Sequence, residues 1–308
     1  MHLFIILLGC VFVVSGLVGA PIKVISDVDD TLKSSGDRKL GEKSLGGVDS
    51  QLPRNHIYPG AFSFLRELSP PTFERSSSPT SVAILTARAS ELKWFLEIKP
   101  TSKIAVAAAS QQLILGPVLY GSVREWVLDG RKGDRKFDNF ERLLSTSNPQ
   151  TKFVFVGDTG EYDEEVRVSS NKPSSSVSSG RKANTILFSV QAGERMIRKF
   201  PDKILAIFLH VVCRESEKDR ISTLKNCLRF ETNPNCYAPR FVSETPIIFF
   251  KTYVGAATEA CKMHLLSKES LLTVIEDSLA DCEELNKRRS AYFDIMFDIA
   301  YASSITLH

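Results

Sequence analysis

The chain has 308 residues, 43% of them hydrophobic and 24% charged, which is enough to bury one large core or two small ones and too apolar for disorder to be the default. Its 39 Lys and Arg stand against 36 Asp and Glu, a net charge of +3. Nothing in that balance calls for nucleic acid; it permits weak attraction to an anionic membrane surface and no more.

The first element is an uncharged apolar run, Leu3 to Ala20, ending in Val18, Gly19 and Ala20. Residues 1–20 read as a secretory signal, so the expectation is entry into the secretory pathway or secretion. Two features depart from a signal's usual pattern: His2 is the only leading side chain with basic character, and Pro21 follows the expected cut, where it is disfavoured. The run is also as long as a minimal membrane-spanning helix of roughly 18 residues. A retained membrane anchor therefore stays open beside cleavage, as does an incomplete N-terminus.

Ile22 to Ser26 is a short β-branched run that ends on acidic residues. Ser81 to Leu85 repeats the shape and ends on Thr86, and Lys152 to Val156 repeats it and ends on Gly157-Asp158. Thr185 to Val190 and Ile204 to Val212 are also strand-like. Near-continuous apolar runs of this kind predict strands covered on both faces. Between them lie helical spacings: Ala61, Phe62, Phe64, Leu65 and Leu68, stopped by Pro70-Pro71; Leu92, Phe95 and Leu96; and Phe137, Phe140, Leu143 and Leu144, stopped before Pro149. Strand and helix alternate, which predicts an α/β fold with a central parallel sheet and right-handed crossovers.

Lys33 to Asn55, Ser76 to Pro79 and the Ser-rich Ser169 to Ala183 read as loops. A polar stretch runs from Cys213 to Arg240, and Phe249 to Leu266 and Lys268 to Leu285 read as a helical pair. Apart from Cys10, the cysteines are Cys213, Cys227, Cys236, Cys261 and Cys282. In a secreted protein they suggest disulfides in a C-terminal region, with free thiols as the alternative; their spacings fit no zinc pattern.

The chemistry concentrates at strand ends. Val24 to Thr31 is a hydrophobic strand ending in D-x-D-x-T, and ligands of open α/β sheets bind outside the carboxyl ends of the strands. There Asp27 can attack phosphorus and form an aspartyl phosphate, while Asp29 can protonate the leaving alcohol and then activate water. One side chain and one backbone carbonyl at such a strand end can converge on a metal, and magnesium prefers carboxylate, carbonyl and water oxygens. Taken alone the motif is short, and an acidic turn or solvated loop explains it as well.

Thr86 can donate a hydroxyl to a phosphate oxygen, and Arg88 can add charge there as a substrate-binding residue. A Thr at this place also serves as a plain helix cap. Lys136, with Lys132 near it, can offset the charge on Asp27 and on a transferring phosphoryl group, in a stretch basic enough to be a solvated loop. Gly157 to Asp163 places two further carboxylates after a strand, Asp158 to bind the metal directly and Asp163 to bind it through water or orient Asp158. The order of acidic pair, hydroxyl, lysine and acidic pair supplies the positioning and charge neutralisation that phosphoryl transfer needs.

With these residues the chain resembles the haloacid-dehalogenase superfamily, and more narrowly the catalytic domain of the actin-patch-associated phosphatidate phosphatases. Ser26 to Leu32 is similar to that family's S-D-I-D-D-T-I, Tyr58-Pro59-Gly60 stands at its V-P-G, and Val156 to Glu165 mirrors its I-G-D-S-G-x-x-D-P-E. Arg135-Lys136 stands at its H-K, which favours Lys136 over Lys132. Phe200 to Phe208 is similar to F-P-x-R-I-x-A-I-Y, and Phe250 to Ala257 to F-x-T-Y-x-x-A-A. The chain departs from the family at Thr86-Ala87-Arg88-Ala89, where S-A-S-P is usual, and at Glu164, where Pro is usual.

The resemblance implies a Rossmann-like haloacid-dehalogenase fold with a small cap or none. It implies a catalytic domain over residues 21–266, with insertions at 169–183 and 213–240, followed by a helical extension over 267–308. It further implies a Mg2+-dependent phosphatase with Asp27, Asp29, Thr86 and Lys136 as catalytic residues and Asp27, Asp29, Asp158 and Asp163 at the metal. The implied substrate is phosphatidate at a membrane surface, converted to diacylglycerol. Phosphatases of soluble or protein-bound esters, and a binding module without turnover, are the alternatives.

Overall fold

The structure is a computed structural model that describes residues 20–36, 39–40, 43–44, 47, 49, 52–69, 80–89, 98–121, 132–159, 188–212, 240–283 and 289–306. The apolar N-terminal run, the Leu92 to Leu96 stripe, the loop from Ser169 to Ala183, Asp163, and Cys213, Cys227 and Cys236 lie outside the described residues.

The central sheet has seven strands: β1 (Ile22–Ser26), β4 (Thr80–Ala89), β5 (Leu113–Gly121), β6 (Lys152–Asp158), β7 (Ile204–His210), β8 (Arg240–Val242) and β9 (Thr245–Phe250). Two further strands of two residues each, β2 (Lys39–Leu40) and β3 (Lys43–Ser44), form a separate ribbon. The sheet order is β5-β4-β1-β6-β7-β9-β8, parallel throughout except for β8, which runs antiparallel to β9 at one edge. The chain builds outward from β1 through β4 to β5, then returns to the other side of β1 with β6. The strand order therefore reverses between β1 and β6, the place where open α/β sheets bind ligands.

Helices α1 (Ala61–Glu67), α2 (Lys103–Ser110), α3 (Lys132–Ser145), α4 (Phe188–Lys199), α5 (Tyr253–Lys262), α6 (Lys268–Glu283) and α7 (Arg289–Thr306) cover the sheet. Two separate apolar clusters show how. Val24, Val82, Ile84, Val154, Val156, Phe208 and Ile248 pack on one face with α1, α2, α5, α6 and α7. Their strand neighbours Ile25, Ala83, Leu85, Phe153, Phe155, Ile207 and Ile247 pack on the other face with α3 and α4. Successive strand residues point to opposite faces, and both faces are apolar, which is why the strands read as unbroken hydrophobic runs. Among the described residues no helix is long and apolar enough to cross a membrane.

Four sequence expectations need correction. Phe188 to Val190 belong to α4 and not to a strand, because the aromatic and β-branched residues there sit at the start of a helical stripe carried on by Ala192, Met196 and Ile197. Phe249 and Phe250 close β9, so the first helix of the C-terminal pair begins at Tyr253 behind its Thr252 cap. The helix of Phe137, Phe140, Leu143 and Leu144, α3, already begins at Lys132, so Lys136 lies inside a helix and not in a solvated loop. Strand β4 runs on to Ala89, so Thr86 lies inside it and not at its end. Helix α7 lies within the expected helical extension. Cys261 and Cys282 are both free thiols.

Two polar contacts fasten the C-terminal helices to the core. Gly60, in the left-handed region at φ 74°, donates its N–H to Asp281 Oδ2 at 3.0 Å. Asp298 of α7 is buried against the N-terminus of α5, where it accepts from Thr252 Oγ1 at 2.6 Å. Burial pushes the Asp298 carboxyl up to about 6, with the Thr252 hydroxyl and Lys251 opposing and Asp294 and Glu259 adding to the rise.

Gly60→Ala is expected to destabilise the fold. The added Cβ would lie 2.0 Å from Ser278 Oγ, which is itself buried and bonded to Val274 O at 2.6 Å. The left-handed backbone adds about 1–2 kcal/mol and the overpacking about 1–3 kcal/mol, read as a lower urea midpoint. For Asp298, a folded pKa above the unfolded one means that the folded state holds the extra proton. Its favourable contribution is complete below the ordinary carboxylate pKa and is lost as pH rises through about 6. Asp298→Asn keeps an acceptor for Thr252 without the charge. Its stability relative to the parent should therefore improve between about pH 4.5 and about pH 7.5, on the order of 1–3 kcal/mol. A difference flat with pH would contradict this.

Candidate active site

Asp27 is the first residue beyond β1, at the switch between β1 and β6, where its N–H donates to Val156 O at 2.9 Å. Its carboxylate is almost fully buried, and the reason it can be so lies across the sheet face. Phe137, Phe140 and Leu143 bury the apolar stripe of α3, which carries the neighbouring Lys136 inward, 3% exposed. Lys136 Nζ stands 2.7 Å from Asp27 Oδ2, and Val28 N–H donates to Oδ1 at 2.7 Å. Burial pushes the Asp27 carboxyl above its ordinary range; Lys136 and the Val28 N–H pull it down, and the charge of Asp29 adds to the rise. The pair is thus a desolvated charge couple, stable only while both partners remain.

Asp158 closes β6, the strand hydrogen-bonded to β1, and is 4% exposed. Its Oδ2 receives a long contact from Thr31 Oγ1 at 3.4 Å. Thr86 is buried in β4, two residues past Ile84, which pairs with Ser26. Asp27, Thr86 and Asp158 therefore come from three adjacent strands at the carboxyl end of the sheet, with Lys136 entering from α3. Asp29 lies on the turn, more open than Asp27, and its Oδ1 is 2.9 Å from Lys33 Nζ. Arg88 is part of β4, with its side chain outside what is described, and Asp163 lies outside the described residues altogether.

Behind these residues is a buried polar frame. Asp30 has φ 57°, and its carboxylate accepts from Ser35 N–H at 2.8 Å and Asp49 N–H at 2.9 Å. Burial pushes the Asp30 carboxyl up to about 6 against those two donors. Tyr58 OH donates to Asp49 Oδ2 at 2.7 Å; burial and the charge of Asp49 hold that hydroxyl protonated. His210, at the end of β7, sets Nδ1 2.7 Å from Asp30 O and Nε2 3.1 Å from Lys251 O, while its ring meets Tyr58 edge-on with centroids 4.4 Å apart. Burial lowers the His210 pKa, against the opposing pull of the Asp30 and Lys251 carbonyls and the charge of Asp49. Tyr253 OH donates to Thr31 O at 2.6 Å.

These framing residues escaped the sequence reading. Tyr58 and Tyr253 stood in quoted motifs with no role attached, and Asp30 lay inside the acidic run, masked by Asp27 and Asp29. Asp49 and His210 are single polar residues far away in the chain, with no local pattern to mark them.

The donor set fits magnesium by its chemistry. Two buried carboxylates close neighbouring strands beside backbone carbonyls of a turn, and magnesium is held by one or two carboxylates with waters completing its shell. Among the described residues no group of three or more His, Cys, Asp or Glu side chains gathers into a metal cage. No family model, curated protein or solved structure matches this chain.

Lys136→Met should leave Asp27 buried without its partner. The expected cost is about 3–5 kcal/mol of stability, read from urea unfolding at neutral pH. A loss under about 1 kcal/mol would mean that Asp27 finds other compensation.

Proposed function

We propose that the chain is a magnesium-dependent phosphatase of the haloacid-dehalogenase type that converts phosphatidate to diacylglycerol through a phospho-Asp27 intermediate. The observation that carries this reading is the Asp27 carboxylate just beyond β1, paired with buried Lys136 at 2.7 Å beside Asp158 at the end of β6 and Thr86 within β4. A lone buried carboxylate would be a liability. One fixed by a cation and a backbone N–H at a sheet's topological switch is a prepared nucleophile.

In this reading an Asp27 oxygen forms a bond to phosphorus as the ester P–O bond breaks, and Asp29 delivers a proton to the leaving glycerol oxygen. Asp29 then takes a proton from water as that water attacks the phosphorus, which releases phosphate and restores the Asp27 carboxylate. Asp29 Oδ1 lies 2.9 Å from Lys33 Nζ, so handing on its proton in the first step draws on a carboxyl that otherwise pairs with Lys33. Lys136 offsets the negative charge gathered at Asp27, the Thr86 hydroxyl donates to a phosphoryl oxygen, and Arg88 adds charge toward the substrate. Asp27, Asp158, Asp163 and residue 29 would hold the magnesium ion, which when bound neutralises phosphoryl oxygens. The lipid substrate rests on the resemblance and on the connection from β1 to α1, whose only strands among the described residues are the short β2 and β3. Such a connection leaves room for a headgroup held at a bilayer.

The test is phosphate release from short-chain phosphatidate by the full chain with magnesium. Turnover should vanish with a chelator, fall by about 10³-fold or more in Asp27→Asn, and fall by about 10²–10⁴-fold in Asp29→Asn. Hydrolysis of water-soluble esters alone would remove the lipid substrate. Inactivity on every ester would remove the phosphatase.

A further inference from the structure

Helix α7 is held to the body of the protein by a seam with a carboxyl group at its centre. Of its described side chains only Ile295, Asp298 and Ala302 are buried. Spacings of three and four residues place them on one side of the helix. Ile295 and Ala302 supply the apolar part of that seam, and an alanine removes little surface from water. Asp298, between them, is 1% exposed, so docking of the helix requires a carboxyl group to leave water.

The slot that receives Asp298 fits the group in either charge state. Thr252 Oγ1 accepts from the Gly255 N–H at 3.1 Å and donates to Asp298 Oδ2 at 2.6 Å. A Cβ on Gly255 would lie 2.7 Å from that same oxygen, so the carboxyl group occupies the space a side chain would fill. A hydroxyl donates to a neutral carboxyl as well as to a carboxylate, which leaves the charge on Asp298 to its surroundings. On α7 itself, Asp294 stands one turn earlier with like charge. From the start of α5 and along it, Lys251 opposes a charge on Asp298 and Glu259 adds to its cost. Lys262 Nζ lies 2.7 Å from Glu259 Oε1 and also bonds the Tyr301 hydroxyl of α7. On α6, Asp281 accepts from the Gly60 N–H and Asp277 lies 3.5 Å from Arg66, both toward α1. Burial outweighs the Thr252 hydroxyl and Lys251, and the carboxyl of Asp298 stands at about 6.

We propose that Asp298 is a proton-controlled latch: with its proton it seats α7 on the N-terminus of α5, and as it ionises α7 releases locally while the central sheet stays folded. The docked carboxyl keeps its proton up to about pH 6, whereas a released one gives it up at the ordinary carboxylate value. Docking is therefore strongest in acid and weakens as pH rises through about 6. The latch adjoins the candidate site, because Tyr253, next to Thr252, donates its hydroxyl to Thr31 O at 2.6 Å. The release requires no turnover and does not rest on the phosphatase reading.

The experiment is hydrogen exchange of the full chain, followed by mass spectrometry on peptides of α7, β1 and β6 and corrected for the pH dependence of the intrinsic rate. From about pH 5 to about pH 7.5 the opening of α7 should rise about tenfold, while β1 and β6 keep their protection. Asp298→Asn stays neutral at both pH values and still accepts from Thr252, so it should hold α7 closed at both. The proposal is overturned if the opening of α7 does not change with pH, or if the change persists in Asp298→Asn. It is equally overturned if α7 and the two strands open together in the parent chain.

Discussion

The site depends on keeping one carboxylate ionised where water is nearly absent. Asp27 sits at the end of a strand that is covered on both faces, and burial alone would drive its carboxyl to the neutral form. Lys136 opposes that, and it does so because the apolar stripe of α3 packs against the sheet and carries the ammonium inward with it. Hydrophobic packing on one side of the sheet thus sets the charge state of a group at its edge. Fold and chemistry are coupled through a single 2.7 Å contact.

A second constraint holds the turn after Asp27 in place. Residues 29 to 31 must reverse direction within a few ångströms of two buried carboxylates, and three elements hold them there. Asp30 adopts a left-handed backbone and ties down Ser35 and Asp49, His210 reaches it from β7, and Tyr253 bonds Thr31 from α5. Those supports come from strands and helices far along the chain, so the geometry at Asp29 and Asp158 depends on the completed sheet. The C-terminal helices join the same arrangement through Asp298 on Thr252 and Asp281 on Gly60. The C-terminal extension is thereby fastened to the end of the sheet that carries the candidate site.

How legible this was from sequence followed the range of each signal. Strands β1, β6 and β7 announced themselves because residues buried on both faces leave unbroken apolar runs. The carboxylates followed because a strand end is a local landmark. The run from Thr185 to Val190 misled, since a short apolar run does not separate a strand from the first turn of a helix, which is where its last three residues lie. Strand β5 was missed because Gly116 and Pro117 interrupt its apolar run, and β9 because Phe249 and Phe250 merge into the helical pattern beyond the Thr252 cap. The partners of Asp30 and Tyr58 had no signal, because contacts across large sequence separations leave no period to read.

The central claim is that Asp27 takes the phosphoryl group. Borohydride converts an aspartyl phosphate to homoserine, so trapping the full chain during turnover of a phosphate ester and mapping the product by mass spectrometry addresses it directly. The account predicts homoserine at residue 27. Turnover with Asp27 unmodified, or with the label on another residue, would contradict it.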